Sequence, residues 1–342
     1  MLRKFMNKIQ YLAIILVVFF LSGCFGLMDD SGEVHPELED WLSIINTDST
    51  GFHKIVEVSY NNHRDRLKVH NFKVTPDESY FIVNSGIHGI WRLCINGNDP
   101  TKLSDTLWVR QTELAISNDG EMIAFVSRGD IYRVNVDGSD LIRLTNTLED
   151  YEDHPNFYPN NEEIVYSKIV DLADSSQYHS ICKMNINGNN QTEILSNISR
   201  TEQLFTYPII LPNSNLILFN SFGENPSINT HDTSNGESSI IFTGDISDKR
   251  LSVSSVCSEI IANDYNNIYI IDYSGLVLID IRELTNKSFD DAVFSPDGSF
   301  IALTDYNELY EYNFGNSTLR FLQNGVLPYC FNNCIYFIWD LD

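Results

Sequence analysis

Arg110, Tyr151, Glu152, His154, Tyr207, Arg250 and Asp291 combine aromatic rings, an imidazole and charges of both signs, the mixture that recognition surfaces use. Catalytic sets are harder to find. His35, His53, His63, His70, His88, His154, His179 and His231 share no ligand spacing on one element, and no Asp-x-Asp-x-Asp-Gly loop is present to hold calcium. A serine hydrolase would carry a Gly-x-Ser-x-Gly turn to expose its nucleophile, and the chain has none. The reading is therefore of a binding protein with no catalytic residue, metal or cofactor assigned. Lysine and arginine number 22 against 47 aspartate and glutamate, a net charge of -25. Phosphate contacts need clustered positive charge, so nucleic acid is not the expected partner.

Cys24 is the one residue whose surroundings specify a modification. Met1 to Gln10 holds Arg3, Lys4 and Lys8 with no acid, and the apolar run from Tyr11 to Leu21 follows it. That run is shorter than the roughly 20 residues of a membrane span and matches the short apolar region of a secretory signal. It ends in Leu21-Ser22-Gly23-Cys24, which resembles the bacterial lipoprotein processing box, where cleavage before the cysteine is coupled to its lipidation by fatty acid such as palmitate. Residues 1–23 then form the signal peptide. Residues 24–51 form a lipidated tether, which Trp41, Leu42, Ile44 and Ile45 interrupt as a short segment docked on the folded domain. Loss of three cations leaves the mature chain at -28, repelled by anionic headgroups, so the lipid tethers a domain that its charge holds off the bilayer. The expected location is the cell envelope, on the outer side of a membrane.

Lipidation leaves Cys94, Cys182, Cys257, Cys330 and Cys334. Cys94 and Cys182 fall on third strands of the repeat described next and read as small buried hydrophobes. Cys330 and Cys334 flank the Phe331-Asn332-Asn333 turn and form a candidate disulfide across a hairpin.

The elements that position these residues repeat. First turns align at Asp77, Asp119, Asn160, Asn213, Cys257, Asp297 and Asn332, in steps of 42, 41, 53, 44, 40 and 35 residues. Second turns recur in phase at Asn96-Gly97, Asp137-Gly138, Asn187-Gly188, Asn235-Gly236, Ser274-Gly275 and Gly315-Asn316. Proline presets one turn dihedral and glycine takes the positive φ that closes a hairpin, so each unit reads as a four-stranded meander. This spacing predicts an all-β, seven-bladed propeller over residues 52–342, of four-stranded antiparallel blades. Its last blade is expected to combine the hairpin after Val326 with Lys54 to Tyr60 and Arg66 to Val69, which removes the exposed edges.

Ser295-Pro-Asp-Gly-Ser-Phe-Ile-Ala, Ser117-Asn-Asp-Gly-Glu-Met-Ile-Ala and Ile131-Tyr-Arg-Val-Asn-Val-Asp-Gly-Ser are similar to the repeats of TolB-type propellers, which also occur in prolyl-oligopeptidase-type peptidases and some polysaccharide lyases. Blades 4 and 5 depart most, with Leu211-Pro-Asn-Ser-Asn and Val256-Cys-Ser-Glu in place of the aspartate-glycine turn. The resemblance implies a non-catalytic module that binds an envelope protein or peptide. The alternative it leaves open is a metal-assisted polysaccharide lyase or hydrolase using the channel, with His154 as the best placed ligand. In either case the seven residues named at the outset lie on the loops that lead into the first strands. The opposite loops are mostly tight turns, too short to build a pocket. Asp171 to Tyr178 and Gly223 to Pro226 extend second-to-third strand connections on the same side.

Overall fold

The computed structural model describes residues 41–46, 53–56, 59–60, 65–66 and 71–339, the last with gaps at 87–88, 96–98, 105–108, 110–113, 148–149, 175, 200–203, 212–213, 224, 245, 247–250, 255–257, 265–266, 296, 306–307, 325 and 332–333. Cys24, Arg110, Arg250 and Cys257 lie outside the described residues.

Where the spacing predicts seven blades, six consecutive stretches each fold into a four-stranded antiparallel meander: blade 1 (71–102), blade 2 (115–143), blade 3 (150–199), blade 4 (204–243), blade 5 (252–280) and blade 6 (291–324). The first turn of every blade closes with one hydrogen bond. The N–H of Thr75, Ser117, Tyr158, Leu211, Ser254 and Ser295 donates to the carbonyl five residues on, at 2.9 Å in all six. Blades 4 and 5 keep that bond although they lack the aspartate-glycine pair, so the fold rests on the backbone pattern rather than on one turn sequence. In blades 1, 2 and 6 an aspartate completes the turn: Asp77, Asp119 and Asp297 accept from the hydroxyls of Thr75, Ser117 and Ser295 at 2.6, 2.6 and 2.9 Å.

The sequence predicted closure by Lys54 to Tyr60 and Arg66 to Val69, and the structure corrects it. Trp41–Asn46 pairs along its whole length with Cys334–Trp339, and His53–Val56 lies outside it, giving a four-stranded sheet with Val326–Phe331 at the other edge. Ser59–Tyr60 and Asp65–Arg66 pair only with each other. A strand bonded on both edges favours apolar and β-branched residues. Trp41-Leu42-Ser43-Ile44-Ile45 supplies these, whereas the later segment carries Lys54, Glu57 and then Arg64 to Lys68. The supposed docked segment of the tether is thus a strand of the closing sheet. Val326–Phe331 lies beside blade 6 and reaches Asn71–Val74 of blade 1, so this sheet stands between the first and last blades.

The core is a series of apolar seams between neighbouring blades, because alternate residues of each strand face opposite neighbours. Ile123 and Phe125 pack on blade 1, while Ala124 and Val126 pack with Ile164, Tyr166 and Met184 of blade 3. Val165 and Ile181 meet Phe205, Ile217 and Phe219 of blade 4. Second turns lock the seams from outside. Gly188 has φ +78° and an added Cβ would sit 2.5 Å from the Leu144 carbonyl oxygen; at Gly275, φ +89°, the same atom would sit 2.0 Å from the Ile241 oxygen. Only glycine fits such an approach.

Candidate functional site

Blade 3 departs from the repeat in length. Blade 2 turns from its second to its third strand at Arg128-Gly129, with Ser127 opposite Asp130, whereas blade 3 continues pairing through Ile169, Val170 and Asp171 before it turns. Three extra residues at roughly 3.3 Å each raise this blade about 10 Å above its neighbour. The rise is on the side of the loops that lead into the first strands. Of the extended connection expected at Asp171 to Tyr178, Asp171, Gln177 and Tyr178 are strand, and the Leu172 N–H donates to the Ser176 carbonyl at 2.8 Å.

The inner strands of blades 3 and 4 share a second departure. Asp150–Phe157 and Leu204–Ile210 each contain a bulge, between Asp153 and Asn156 and between Thr206 and Ile209. At each bulge a bulky residue stands before proline with positive φ: His154 at 50° before Pro155, and Tyr207 at 51° before Pro208. Left-handed backbone costs a side-chain-bearing residue about 1–2 kcal/mol, and bulges of this kind re-aim side chains next to sites. Here the two re-aimed rings meet, with centroids 4.1 Å apart and planes tilted by 50°. Behind the stack, His154 Nδ1 lies 3.1 Å from the Ser167 hydroxyl, which donates to the Asp153 carbonyl at 3.0 Å. His154 and Tyr207, which the sequence placed on separate loops, are therefore one unit at the seam between blades 3 and 4.

The remaining expected site residues divide by burial. Tyr151 is 49% exposed, at the rim above Gly129. Glu152 is 1% exposed and receives the Thr147 hydroxyl at 2.9 Å, while its N–H donates to the Gly129 carbonyl. Burial pushes its carboxyl above the usual glutamate range, against the Thr147 hydrogen bond that stabilises the charge. Glu152 thus pins blade 3 to the tip of blade 2, rather than facing solvent. Asp291 is also buried and accepts the Ala292 N–H at 2.9 Å. Of the seven expected residues, Tyr151, His154 and Tyr207 form the accessible or partly accessible group among those described.

Two features were missed in the sequence. The first is a belt of small polar residues at one position of the second strands: Asn84, Ser167, Asn220, Asn263 and Thr304 are all buried. Asn263 shows their use, donating through its side-chain amide to the Asp290 carbonyl at the start of the next blade, 2.8 Å away. The belt is visible in sequence as Val-Asn-Ser, Tyr-Ser, Phe-Asn-Ser, Ala-Asn-Asp and Leu-Thr-Asp once the units are aligned. The second is His179, fully buried on the third strand of blade 3 with no hydrogen-bond partner on either ring nitrogen. Burial pushes its imidazole below the usual histidine range and Asp171 opposes that shift, so the ring is held neutral.

Cys94 and Cys182 are free thiols, half-buried and buried, and burial pushes the Cys182 thiol up, as inert core thiols require. In the closing hairpin Cys334 pairs with Phe331 and Cys330 with Ile335; the side chains lie outside the described residues. Among the described residues no three histidine, cysteine or carboxylate side chains gather where a metal ion could be held, and no helix is long and apolar enough to cross a membrane.

No family model matches the sequence, and no curated protein is matched by it. Solved structures do match. One is described as a TolB from Agrobacterium tumefaciens, with a TM-score of 0.54 and 14% identity over 90% of this chain and 99% of that one. The fold is a TolB-like β-propeller. An oligogalacturonate lyase in complex with manganese matches with a TM-score of 0.61 and 15% identity, over 74% of this chain and 76% of that one. A dipeptidyl peptidase 4 from Porphyromonas gingivalis matches over 85% of this chain at 10% identity and a TM-score of 0.55, but only 54% of the peptidase is covered. At these identities the likeness carries the propeller and leaves function to the site.

Proposed function

We propose that this TolB-like propeller is a non-catalytic module of the cell envelope, tethered by a lipid on Cys24 and binding a protein or peptide partner at the mouth between blades 3 and 4. The closing sheet acts in this reading as a seventh blade that joins both ends of the chain. The observation that carries the proposal is the paired bulge: two backbones bear positive φ at His154 and Tyr207 to bring an imidazole and a phenol together, beside the exposed Tyr151. Strain of this kind persists where surrounding structure enforces it, and it clusters at binding sites. Aromatic side chains at a raised rim are what a partner's apolar residues need as anchors. Arg110 and Arg250, which the sequence places on neighbouring loops, would add the charge of opposite sign.

Cross-linked capture from native membranes tests this. The wild-type chain should retain a partner that Tyr151→Ala with Tyr207→Ala loses by about tenfold, while the melting temperature falls only a few degrees. Unchanged capture in the double variant would overturn the reading. Radiolabelled fatty acid should enter the wild type and not Cys24→Ala, and equal labelling would remove the anchor. The lyase neighbour favours a second reading, metal-assisted cleavage of a polysaccharide in the channel. Stoichiometric transition metal, lost with His154→Ala, would support that reading over the first.

A further inference from the structure

A propeller leaves the outer strand of every blade unpaired on one side, a template on which another chain can add a strand. Four blades guard that edge with charge. Blade 1 has Lys102, blade 2 has Arg143 bonded to Asp130, blade 3 has Glu193 receiving the Tyr178 hydroxyl, and blade 6 has Arg320 paired with Glu311 at 2.9 Å. Blade 4 does not. Its outer strand is Ser238–Thr243, Ser-Ser-Ile-Ile-Phe-Thr, six residues with no charge and high strand propensity. In blade 5 the outer strand Val277–Asp280 has only the terminal Asp280, which is engaged in capping the helix Ile281–Thr285.

The apolar residues of these two edges face solvent. Ile240 is 65% exposed, Leu276 61%, Val277 45%, Leu278 44% and the helix residue Leu284 57%. They are neighbours, because the second turn of blade 5 closes on the outer strand of blade 4, where Gly275 abuts the Ile241 carbonyl. Single exposed apolar residues need no explanation, but a contiguous group on adjoining open edges does. The rim of the group is acidic. Asp232, Glu237, Asp272 and Glu283 flank these strands and the helix along the chain, against Arg282 and Lys287, of which Lys287 is paired with Asp305 and Glu308. Ser234 and Ser274 hydroxyls donate to Asp232 and Asp272 at 2.5 and 2.6 Å and hold both carboxyls below the usual range.

We propose that the outer edges of blades 4 and 5 form a docking surface for an extended segment of another protein, one that alternates apolar with basic residues. The segment would add as a fifth strand to Ser238–Thr243. Main-chain hydrogen bonds would supply affinity, its apolar side chains would cover Ile240 and Leu278, and its cations would face the acidic rim. A second copy of this chain fits less well, since it would bring the same acids against themselves. This surface is separate from the mouth between blades 3 and 4 and does not depend on how the mouth is used.

The full chain can be titrated with a fluorescent peptide of alternating valine and lysine, about the length of the edge strand, and with its valine–glutamate counterpart. The lysine peptide should bind, more tightly at low salt, and Ile240→Lys with Leu278→Lys should weaken it about tenfold, because an edge lysine blocks strand addition. Tyr151→Ala should leave it unchanged. If the lysine variant fails to fold, Ile240→Ser with Leu278→Ser replaces it, with the same direction expected. Equal binding of the glutamate peptide, or binding that survives both edge variants, would overturn the proposal. So would a concentration-dependent dimer abolished by the same substitutions, which would assign the edge to a second copy.

Discussion

Asp77 and Asp297 in the first turns and Glu152 at the mouth are held in opposite ways. At the end where first turns lie, Asp77 and Asp297 accept hydroxyl and amide hydrogen bonds from the serine two residues on, with further hydroxyl bonds from Thr75 and Ser295, and these hold both carboxyls below the usual aspartate range. They are short-range devices, repeated because the backbone repeats. At the mouth, Glu152 is buried between blades 2 and 3 and its carboxyl is pushed up, while His179 nearby is pushed down, so burial at this end disfavours charge on acid and base alike. The difference teaches where the sequence is free to vary. A turn that serves the scaffold uses a short-range local solution, and the rim proposed for recognition holds burial, bulges and positive φ.

The largest expected effect sharpens the scaffold side of that contrast. Phe125 is fully buried in blade 2 and stacks on Tyr132 at 5.7 Å, so Phe125→Ala should lower stability by about 3–5 kcal/mol in denaturant titration. Gly275→Ala should cost roughly 2–3 kcal/mol, because its Cβ would meet the Ile241 oxygen and its φ is left-handed; a Tm unchanged from wild type would show that the interblade lock is loose.

The pH response should separate Glu152 from the turn aspartates. A raised folded pKa means that the native state holds its proton more strongly than the unfolded chain. Glu152 therefore contributes stability below the ordinary glutamate value, and loses it as pH rises through its raised value. The turn aspartates behave inversely, contributing above the ordinary aspartate value of 3.8 and losing that contribution as pH falls. Glu152→Gln should thus gain on wild type between pH 4 and 7, and Asp297→Asn should lose on it over the part of that range just above the ordinary value. Stability curves of the three proteins against pH check both signs. The smallest effect concerns the bulges. Tyr207→Gly should be more stable than Tyr207→Ala by about 1 kcal/mol, since only the alanine retains the left-handed cost.

How much of this was legible follows from the range of each interaction. The six consecutive blades could be read because Pro-Asp-Gly and Asp-Gly encode a hairpin within a few residues. Closure is not legible in the same way, because Trp41–Asn46 is specified by a partner almost three hundred residues away. At the site, Tyr151, His154 and Tyr207 were found from loop position, but the stack was not. Its signal was present: Pro155 and Pro208 each stand five residues before the first turn, at Asn160 and Asn213, with a ring-bearing residue ahead of them. Glu152 and Asp291 were assigned to the surface because a charged residue in a loop usually is exposed, and only the tertiary packing of blade 3 on blade 2 buries Glu152.

The central claim, that recognition sits where the propeller departs from its repeat, is tested most directly by one paired capture. The partner retained from native membranes by the full chain is measured for Tyr151→Ala with Tyr207→Ala at the mouth and for Asp119→Lys with Asp297→Lys at the opposite turns, each beside its melting curve. Capture should be lost in the mouth variant and retained in the turn variant, with the Tm of the mouth variant within a few degrees of wild type. Retention at the mouth with loss at the turns would contradict that claim and move the binding face to the other end of the propeller.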